Sequence, residues 1–379
     1  MHNQYTQSTS YLIRNARVWS PEDLGVLDVL IVNQTIYAVE PNLGNLTLPN
    51  LKIIDAKGLN LVPGFIDGHV HLTGGGGEGG FSTRIQPAEP DDFKSHGICT
   101  VVGLLGTDGV TRSLVDLYAR VMAFREAGMS AWMYSGAYRV PGPTLTGSVQ
   151  QDLVLIQPVI GVGEVAVGDH RSSQPTAQEL ARTMADARVG GMISGKAGIT
   201  HVHLGDDPRG LELLHRVIDT TSIPPHHIYP THVNRHRSLV KSATALAKRG
   251  VTLDMTSGFK DHDTEVSAPT CLTELLSQGV PPRQITLSSD SYGSLPVFDA
   301  HGQLVGIDWA KPQSLVQDLA AMVKQGHPFS LVLSLVTENP ARLLGLAKVG
   351  RILPGATAHL VLCDVEFGVK KVWVSGNAD

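Results

Sequence analysis

The strongest constraint on the fold is a regular alternation of apolar runs and helical stretches between residues 61 and 346. The eight apolar runs are LVPGFIDGHVHL, ICTVVGLLGT, SAWMYSGAY, PVIGVGEVAV, ITHVHLG, IYPTHVN, VTLDMTSG and QITLSSD. Amphipathic helices are predicted between most of them, over 114–127, 177–189, 208–220, 237–249 and 268–278, and a last helix over 330–346. Strands that alternate with helices in this way predict a (β/α)8 TIM barrel, an α/β fold.

The two ends of the chain have a different texture. Residues 1–60 and 347–379 contain short alternating apolar and polar pieces with no helical period, which indicates antiparallel strands. We expect both ends to form one small β-sandwich domain, made of residues 1–60 and 347–379, beside a barrel domain of residues 61–346.

Composition excludes several classes of protein. Charged residues make up only 17% and apolar residues 42%, so disorder is excluded, and the net charge of −5 argues against a nucleic-acid partner. The first twenty residues contain no apolar run of signal-peptide length, and no stretch of about 18 apolar residues occurs. We therefore expect a soluble, cytoplasmic protein with no membrane partner.

Histidine is unusually frequent, at 16 residues, and several histidines lie at the ends of predicted strands. In TIM barrels these ends carry the active site, and a period of two directs His69 and His71 to the same side. A single such histidine is more often a hydrogen-bonded core residue. The combination of four histidines with two carboxylates at one rim indicates a metal site, formed by His69, His71, Glu164, His203, His232 and Asp290.

This set is too large for one catalytic zinc, which usually has three protein ligands. We assign the first ion to His69, His71 and Asp290 and the second to His203 and His232. Glu164 is expected to bridge the two ions, which would also share a hydroxide. Ligands without thiolate favour two Zn2+, although ligand type also permits Mn2+, Fe2+ or Co2+. His201 is expected to point away and to serve in packing.

Particular motifs carry a family resemblance over nearly the whole chain. VPGFIDGHVHL, with the later histidines and Asp290, resembles the amidohydrolase superfamily, and RILPGATAHLVL resembles its accessory domain. Within it, the chain is similar to the isoaspartyl dipeptidase family in the motifs GGGGEGG, GLLGTDG, SGAYRVP, GDHRSS, HVHLGD, PTHVNR and SDSYGS.

One position departs from many members of the superfamily, which bridge their metals with a carboxylated lysine where this chain has Glu164. Because glutamate is shorter, its strand has to come closer to the metals. Gly161 and Gly163 permit a β-bulge or a closer backbone approach that would shift Glu164 toward the metals.

The resemblance implies hydrolysis of the isopeptide bond of β-aspartyl dipeptides by the metal-bridging hydroxide, with Asp290 as general base and then general acid. It also implies that Tyr138 stabilises the oxyanion. A dipeptide with one ammonium and two carboxylates suits Glu78, Arg171 and Arg235. Further substrate contacts are expected from Gly76, Gly77, Thr107 and Ser294. The resemblance implies a homo-oligomer, often an octamer.

Other functions remain open from the residues alone. A cyclic amide hydrolase or an N-acyl amino acid deacylase would share the metal core, and a barrel that lost its metals would be a non-catalytic scaffold. The charged set around Glu78 favours a zwitterionic dipeptide over a neutral ring.

Overall fold

The computed structural model describes residues 9–207, 209–262, 264–298 and 304–378. The strands are β1 (Ser10–Trp19), β2 (Asp23–Val32), β3 (Thr35–Glu40), β4 (Leu51–Asp55), β5 (Asn60–Pro63), β6 (Phe65–Val70), β7 (Ile98–Gly103), β8 (Ser130–Ser135), β9 (Val159–Val167), β10 (Ile199–Leu204), β11 (Ile228–Thr231), β12 (Leu253–Thr256), β13 (Ile285–Ser288), β14 (Ser294–Phe298), β15 (Leu304–Trp309), β16 (Leu360–Cys363), β17 (Val369–Val374) and β18 (Asn377–Ala378). The α-helices are α1 (Pro90–Lys94), α2 (Leu114–Glu126), α3 (Val149–Leu155), α4 (Ala177–Ser194), α5 (Gly210–Thr220), α6 (Arg237–Ala247), α7 (Ala268–Ser277), α8 (Gln313–Lys324), α9 (Phe329–Ser334) and α10 (Glu338–Leu343).

The strands β6 to β13 coincide with the eight predicted apolar runs. Strands β6 to β11 form a curled parallel sheet in chain order, and β12 and β13 form a parallel pair beside it. Ser291, three residues after the end of β13, forms a parallel bridge with Val70, the last residue of β6. Because all these strands run in the same direction, their carboxyl ends share one rim, and we call β6–β13 with their helices the barrel.

Helices occur at all five positions predicted between strands. Local capping explains several of their starts: Ser113 accepts a hydrogen bond from the backbone N–H of Asp116, and Thr176 and Glu179 form a reciprocal capping box. Gly195 ends α4 in the left-handed conformation, with φ 67°.

The single helix predicted over 330–346 is wrong, because the chain forms α9 and α10 with a break between them. Pro340 cannot continue a helix through residue 336, since its ring would clash with that carbonyl, but a proline is tolerated in the first turn of α10. The break frees two carbonyls: Val336 O accepts from Ile66 N (2.7 Å), and Leu335 O accepts from Leu287 N (3.1 Å). Both bonds attach this segment to barrel strands.

The terminal strands form one hydrogen-bonded sheet of eight strands in the order β18-β17-β16-β5-β1-β2-β3, with β4 also paired to β1. It has its own apolar core, in which Tyr11 and Trp373 make an edge contact at 6.2 Å. The β-sandwich arrangement and the domain bounds remain predictions. No helix in the described ranges is long and apolar enough to span a bilayer.

The terminal sheet is joined to the barrel by a buried histidine just before β16. His359 Nε2 lies 2.9 Å from the hydroxyl of Ser130, the first residue of β8, and its Nδ1 accepts from Ser375 N at 3.0 Å. Burial lowers the pKa of His359 from 6.5 to about 4.

We predict that this junction makes stability depend on pH. The unfolded chain takes up a proton on His359 below about pH 6.5, while the folded protein resists it down to about pH 4, so stability is lost as the pH falls through this window. Between pH 7 and pH 4 the wild type should lose about 3 kcal/mol more unfolding free energy than H359N, measured by urea denaturation. H226N, at an exposed histidine, serves as the control. Parallel pH curves for H359N and the wild type would contradict this prediction.

Candidate metal centre and active site

A β-bulge in β9 positions Glu164. Thr200 pairs with Val162 and Val202 pairs with Val165, so Gly163 and Glu164 together face His201. Added Cβ atoms would lie 2.5 Å from Ile199 O at Gly161 and 2.7 Å from the His201 Cβ at Gly163. The two glycines therefore permit the close approach of β9 to β10, and the predicted bulge is confirmed.

The structure brings all six predicted metal-ligating side chains together at the rim. Glu164 Oε1 lies 2.7 Å from His203 Nδ1 and 3.3 Å from His232 Nε2. Its other oxygen, Oε2, lies 3.5 Å from His69 Nε2 and 3.9 Å from His71 Nε2. Asp290 Oδ1 lies 3.1 Å and 3.0 Å from the same two nitrogens. The carboxylate of Glu164 thus directs one oxygen toward each half of the site.

Several of these buried atoms lack a hydrogen-bond partner. Among the described residues, His69 Nε2, Glu164 Oε2 and Asp290 Oδ1 are buried and unsatisfied. Leaving such atoms unpaired is costly, and a divalent cation would satisfy all three at once. The ligand atoms of His69, His71 and Asp290 lie within 4.8 Å of one another. The donor set therefore fits a metal ion.

A second group of ligand atoms within 4.8 Å combines His69, Glu164 and His232. It differs from the predicted second set, which combined His203 and His232 with Glu164. His232 and Asp290 adopt left-handed backbone conformations, with φ 61° and 52°. Such strain in non-glycine residues clusters at functional sites.

The electrostatics of the site attract positive charge. Burial opposes the ionisation of Glu164, but attraction to His69 and His203 holds its pKa well below the usual range. Burial alone would lower the pKa of His69, yet Glu164 and Asp290 raise it well above the usual range. Burial, with Arg235 nearby, lowers the pKa of His232 to about 3, so its imidazole is neutral, as a metal ligand requires.

A cavity of about 900 Å³ opens above this centre. Of the predicted substrate-binding residues, those that line it are Gly76, Glu78, Thr107, Tyr138, Arg171, Arg235 and Ser294. Gly77 is not among the lining residues, and its N–H donates to Thr83 O at 3.3 Å. Glu78 accepts hydrogen bonds from Ser294 Oγ (2.8 Å) and Thr107 Oγ1 (3.4 Å). These bonds orient the carboxylate inside the cavity.

Tyr138 lines the cavity and contacts one of the candidate metal ligands. Its hydroxyl is 2.9 Å from His203 Nδ1. Burial and the charge of Glu164 raise the pKa of Tyr138 well above its usual value. The hydroxyl therefore keeps its proton and can donate a hydrogen bond.

The expected orientation of His201 is wrong. Its Nε2 lies 3.1 Å from His69 Nδ1, and its ring stacks on Tyr134 at 5.1 Å inside the barrel. The physical reason is the strand period of two, which places His201 on the same face as His203.

Sequence reasoning missed two further polar residues. Arg112 is buried and donates to Gly75 O (2.8 Å), Ile85 O (2.9 Å) and Thr73 O, so it holds the glycine-rich loop in place.

Asp169, the second residue, is buried beside His203 and Arg171, with Oδ2 2.9 Å from His203 Nε2. The signal for Asp169 was an acidic residue two positions before Arg171 in GDHRSS, directly after β9.

Comparisons with known proteins identify the family of the chain. Residues 153–378 match the model of the amidohydrolase family. A crystal structure of β-aspartyl dipeptidase from Fervidobacterium islandicum AW-1, in complex with β-Asp-Leu, is 43% identical over 98% of this chain and 96% of that chain, with a TM-score of 0.92. A second structure of that organism's enzyme is 41% identical over the same shares, with a TM-score of 0.89. A dihydroorotase from Elusimicrobium minutum is 24% identical over 96% of this chain and 89% of its own length.

We predict that Zn2+ stabilises the folded protein, because only folding brings the candidate ligand atoms within reach of one ion. Zn2+ at 100 times its Kd should add about 2.7 kcal/mol to the unfolding free energy, seen as a higher Tm. E164Q should lose most of this gain, while E40Q, at an exposed glutamate of β3, should retain it. An equal gain in E164Q and the wild type would show that Glu164 does not bind the ion.

Proposed function

The chain belongs to the amidohydrolase family, and on that premise we propose that it hydrolyses the isopeptide bond of β-aspartyl dipeptides with the help of divalent cations. The observation that carries the proposal is the cavity in which one anion, Glu78, and two guanidinium groups, of Arg171 and Arg235, surround the mouth of a metal-ligating cluster. A relative with 43% identity is known in complex with β-Asp-Leu, which supports this substrate class.

The proposed metal content is two Zn2+ per subunit, with Mn2+, Fe2+ or Co2+ permitted by the same ligands. His69, His71 and Asp290 would hold one ion, His203 and His232 the other, and Glu164 would contact both. When bound, such ions lower the pKa of water and polarise the scissile carbonyl. The two oxygens of Glu164 point toward opposite halves of the site, which supports its role as a bridge.

The chain's own side chains move the proton in the proposed reaction. Burial opposes ionisation of Asp290, but His69 and His71 keep its pKa well below the usual range, so it is a carboxylate. It can therefore accept a proton from the attacking water and pass it to the departing amine as the amide bond breaks. The Tyr138 hydroxyl would donate a hydrogen bond to the carbonyl oxygen as negative charge develops there, a contact worth about 3 kcal/mol of barrier.

Charge complementarity accounts for the choice of substrate. In the proposal, Glu78 binds the free ammonium, and Arg171 and Arg235 bind the two carboxylates. These three side chains are only 21%, 20% and 18% exposed, so their charges are poorly screened. An α-linked dipeptide would leave one of these partly buried charges unpaired, and unpaired groups of this kind produce strong discrimination.

The finer features implied by the family resemblance belong to the same proposal. They are assembly into a homo-oligomer, a cytoplasmic location, a β-sandwich arrangement of the terminal module, and a boundary between the two domains near residues 60 and 346. Dihydroorotase relatives at 24% identity make a cyclic amide the competing substrate class.

We predict that the protein hydrolyses β-Asp-Leu, that α-Asp-Leu and dihydroorotate are poor substrates, and that a chelator abolishes turnover. Amino acid release, followed by chromatography with and without added Zn2+, measures all of these. Faster turnover of dihydroorotate than of β-Asp-Leu would favour the cyclic amide hydrolase. Turnover that survives complete metal removal would contradict the metal-dependent reaction.

We also predict that E78Q lowers kcat/KM for β-Asp-Leu by at least about 100-fold, since a charge-assisted contact worth about 3 kcal/mol is lost. Its zinc content should equal that of the wild type, because Glu78 touches none of the proposed ligands. E40Q again provides a control. Wild-type kinetics in E78Q would show that another group binds the ammonium.

A further inference from the structure

Asp169 connects the substrate side of the cavity with the metal side. It follows the end of β9 by two residues and is buried, with 6% of its surface exposed. Its Oδ1 accepts from Arg171 N (2.7 Å) and Arg171 Nε (3.0 Å). Its Oδ2 accepts from an Arg171 terminal nitrogen (2.7 Å) and lies 2.9 Å from His203 Nε2. Both oxygens are therefore engaged.

The contact between Asp169 and His203 favours a proton on one nitrogen of the imidazole. Both oxygens of Asp169 accept hydrogen bonds from the guanidinium of Arg171, so the side chain faces His203 as an acceptor. When a cation binds Nδ1, the imidazole proton is on Nε2, and Asp169 Oδ2 is the acceptor that faces it at 2.9 Å. Nδ1 itself faces Glu164 Oε1 at 2.7 Å and the Tyr138 hydroxyl at 2.9 Å.

The distribution of charge shows which face of His203 can meet a cation. On the Nε2 side, Arg235 approaches to 3.1 Å and Arg171 to 3.5 Å, and these guanidinium groups would repel a metal ion. The Nδ1 side instead faces Glu164, whose Oε1 is also 3.3 Å from His232 Nε2. The cation side of His203 is therefore Nδ1, and the carboxylate of Asp169 stabilises the tautomer that this requires.

The same carboxylate also limits how Arg171 can meet a ligand. Asp169 occupies the edge of the guanidinium that carries Nε and one terminal nitrogen. The other terminal nitrogen lies 3.6 Å from Glu78 Oε1, on the cavity side. Arg171 thus presents its outer end to the cavity in one fixed orientation.

We propose that Asp169 is a positioning residue that holds His203 in the metal-binding tautomer and Arg171 in the substrate-binding orientation at the same time. The part that concerns Arg171 rests on the proposed function, whereas the part that concerns His203 does not. The network couples the two: a change at Asp169 should weaken metal loading and substrate binding together.

Replacement by asparagine tests this because it preserves shape and removes charge. Both oxygens of Asp169 accept from Arg171, so the amide nitrogen of D169N faces an Arg171 donor in either orientation. In the orientation where it replaces Oδ2 it also faces His203 Nε2 and favours a proton on Nδ1, which then offers no lone pair to a cation. One of the two functions of Asp169 is lost in either orientation, and the attraction of the negative charge is lost in both.

The chain offers a matched control at its surface. Asp207 accepts from the backbone N, Nε and a terminal nitrogen of Arg209 at 2.9, 3.1 and 2.8 Å, the same local pattern as Asp169 with Arg171. The Arg209 side chain is 75% exposed, and among the described residues no histidine is bonded to Asp207. D207N therefore removes the same local pair at a side chain outside the cavity lining.

The experiment measures two quantities on the full chain for wild type, D169N, D169E, R171K and D207N. The first is the free Zn2+ concentration that half-loads the protein, from metal analysis after dialysis against zinc buffers. The second is the KM for β-Asp-Leu at saturating Zn2+. We expect D169N to raise the half-loading concentration by 10- to 100-fold and KM by at least 10-fold. D169E should recover part of both losses, R171K should raise KM alone, and D207N should match the wild type.

Two results would overturn the proposal: zinc loading and KM in D169N that equal the wild type, or identical losses in D169N and D207N. If D169N does not fold, D169E is the deciding variant, and wild-type values for both quantities in D169E would contradict a role that needs this carboxylate position. If the wild type does not hydrolyse β-Asp-Leu, the proposed function fails, while the zinc measurement still tests the His203 contact.

Discussion

The structure depends on placing one buried carboxylate among four imidazoles. Glu164 has almost no exposed surface, and its oxygens face His203 and His232 on one side and His69 and His71 on the other. A buried carboxylate is unfavourable unless it is paired. The surrounding imidazoles keep Glu164 ionised, and a divalent cation would pair with the carboxylate and with imidazole lone pairs at the same time. The proposed chemistry of the site and the stability of the barrel rim would then have the same origin.

The surrounding fold supplies the positions that this arrangement needs. Gly161 and Gly163 allow β9 to bulge toward β10, and His232 and Asp290, two of the candidate ligands, adopt left-handed backbone conformations. Beneath the ligands, Asp254 accepts hydrogen bonds from Thr231, Thr286 and Ser288. Burial raises the pKa of Asp254. This second polar layer keeps the strand ends in register, as supporting hydrogen bonds do around metal sites generally.

Much of this could be predicted from the sequence because strand-end residues obey simple rules. Parallel strands share one rim, so the sequence alone predicted that the six candidate ligand side chains would lie together. Asp169 was missed because it belongs to a loop, where no periodicity indicates direction. The helix over 330–346 was extended across Pro340 because its apolar pattern continues, although backbone chemistry prevents the helix from doing so. The pairing of the terminal strands depends on contacts between distant parts of the chain, which local patterns do not reveal.

The most direct test of the central claim is a crystal structure of the zinc-loaded protein with anomalous scattering at the zinc edge. The account predicts two peaks per chain, with the two oxygens of Glu164 each about 2.0–2.2 Å from a different ion. A single peak, or two peaks with Glu164 in contact with neither ion, would contradict it.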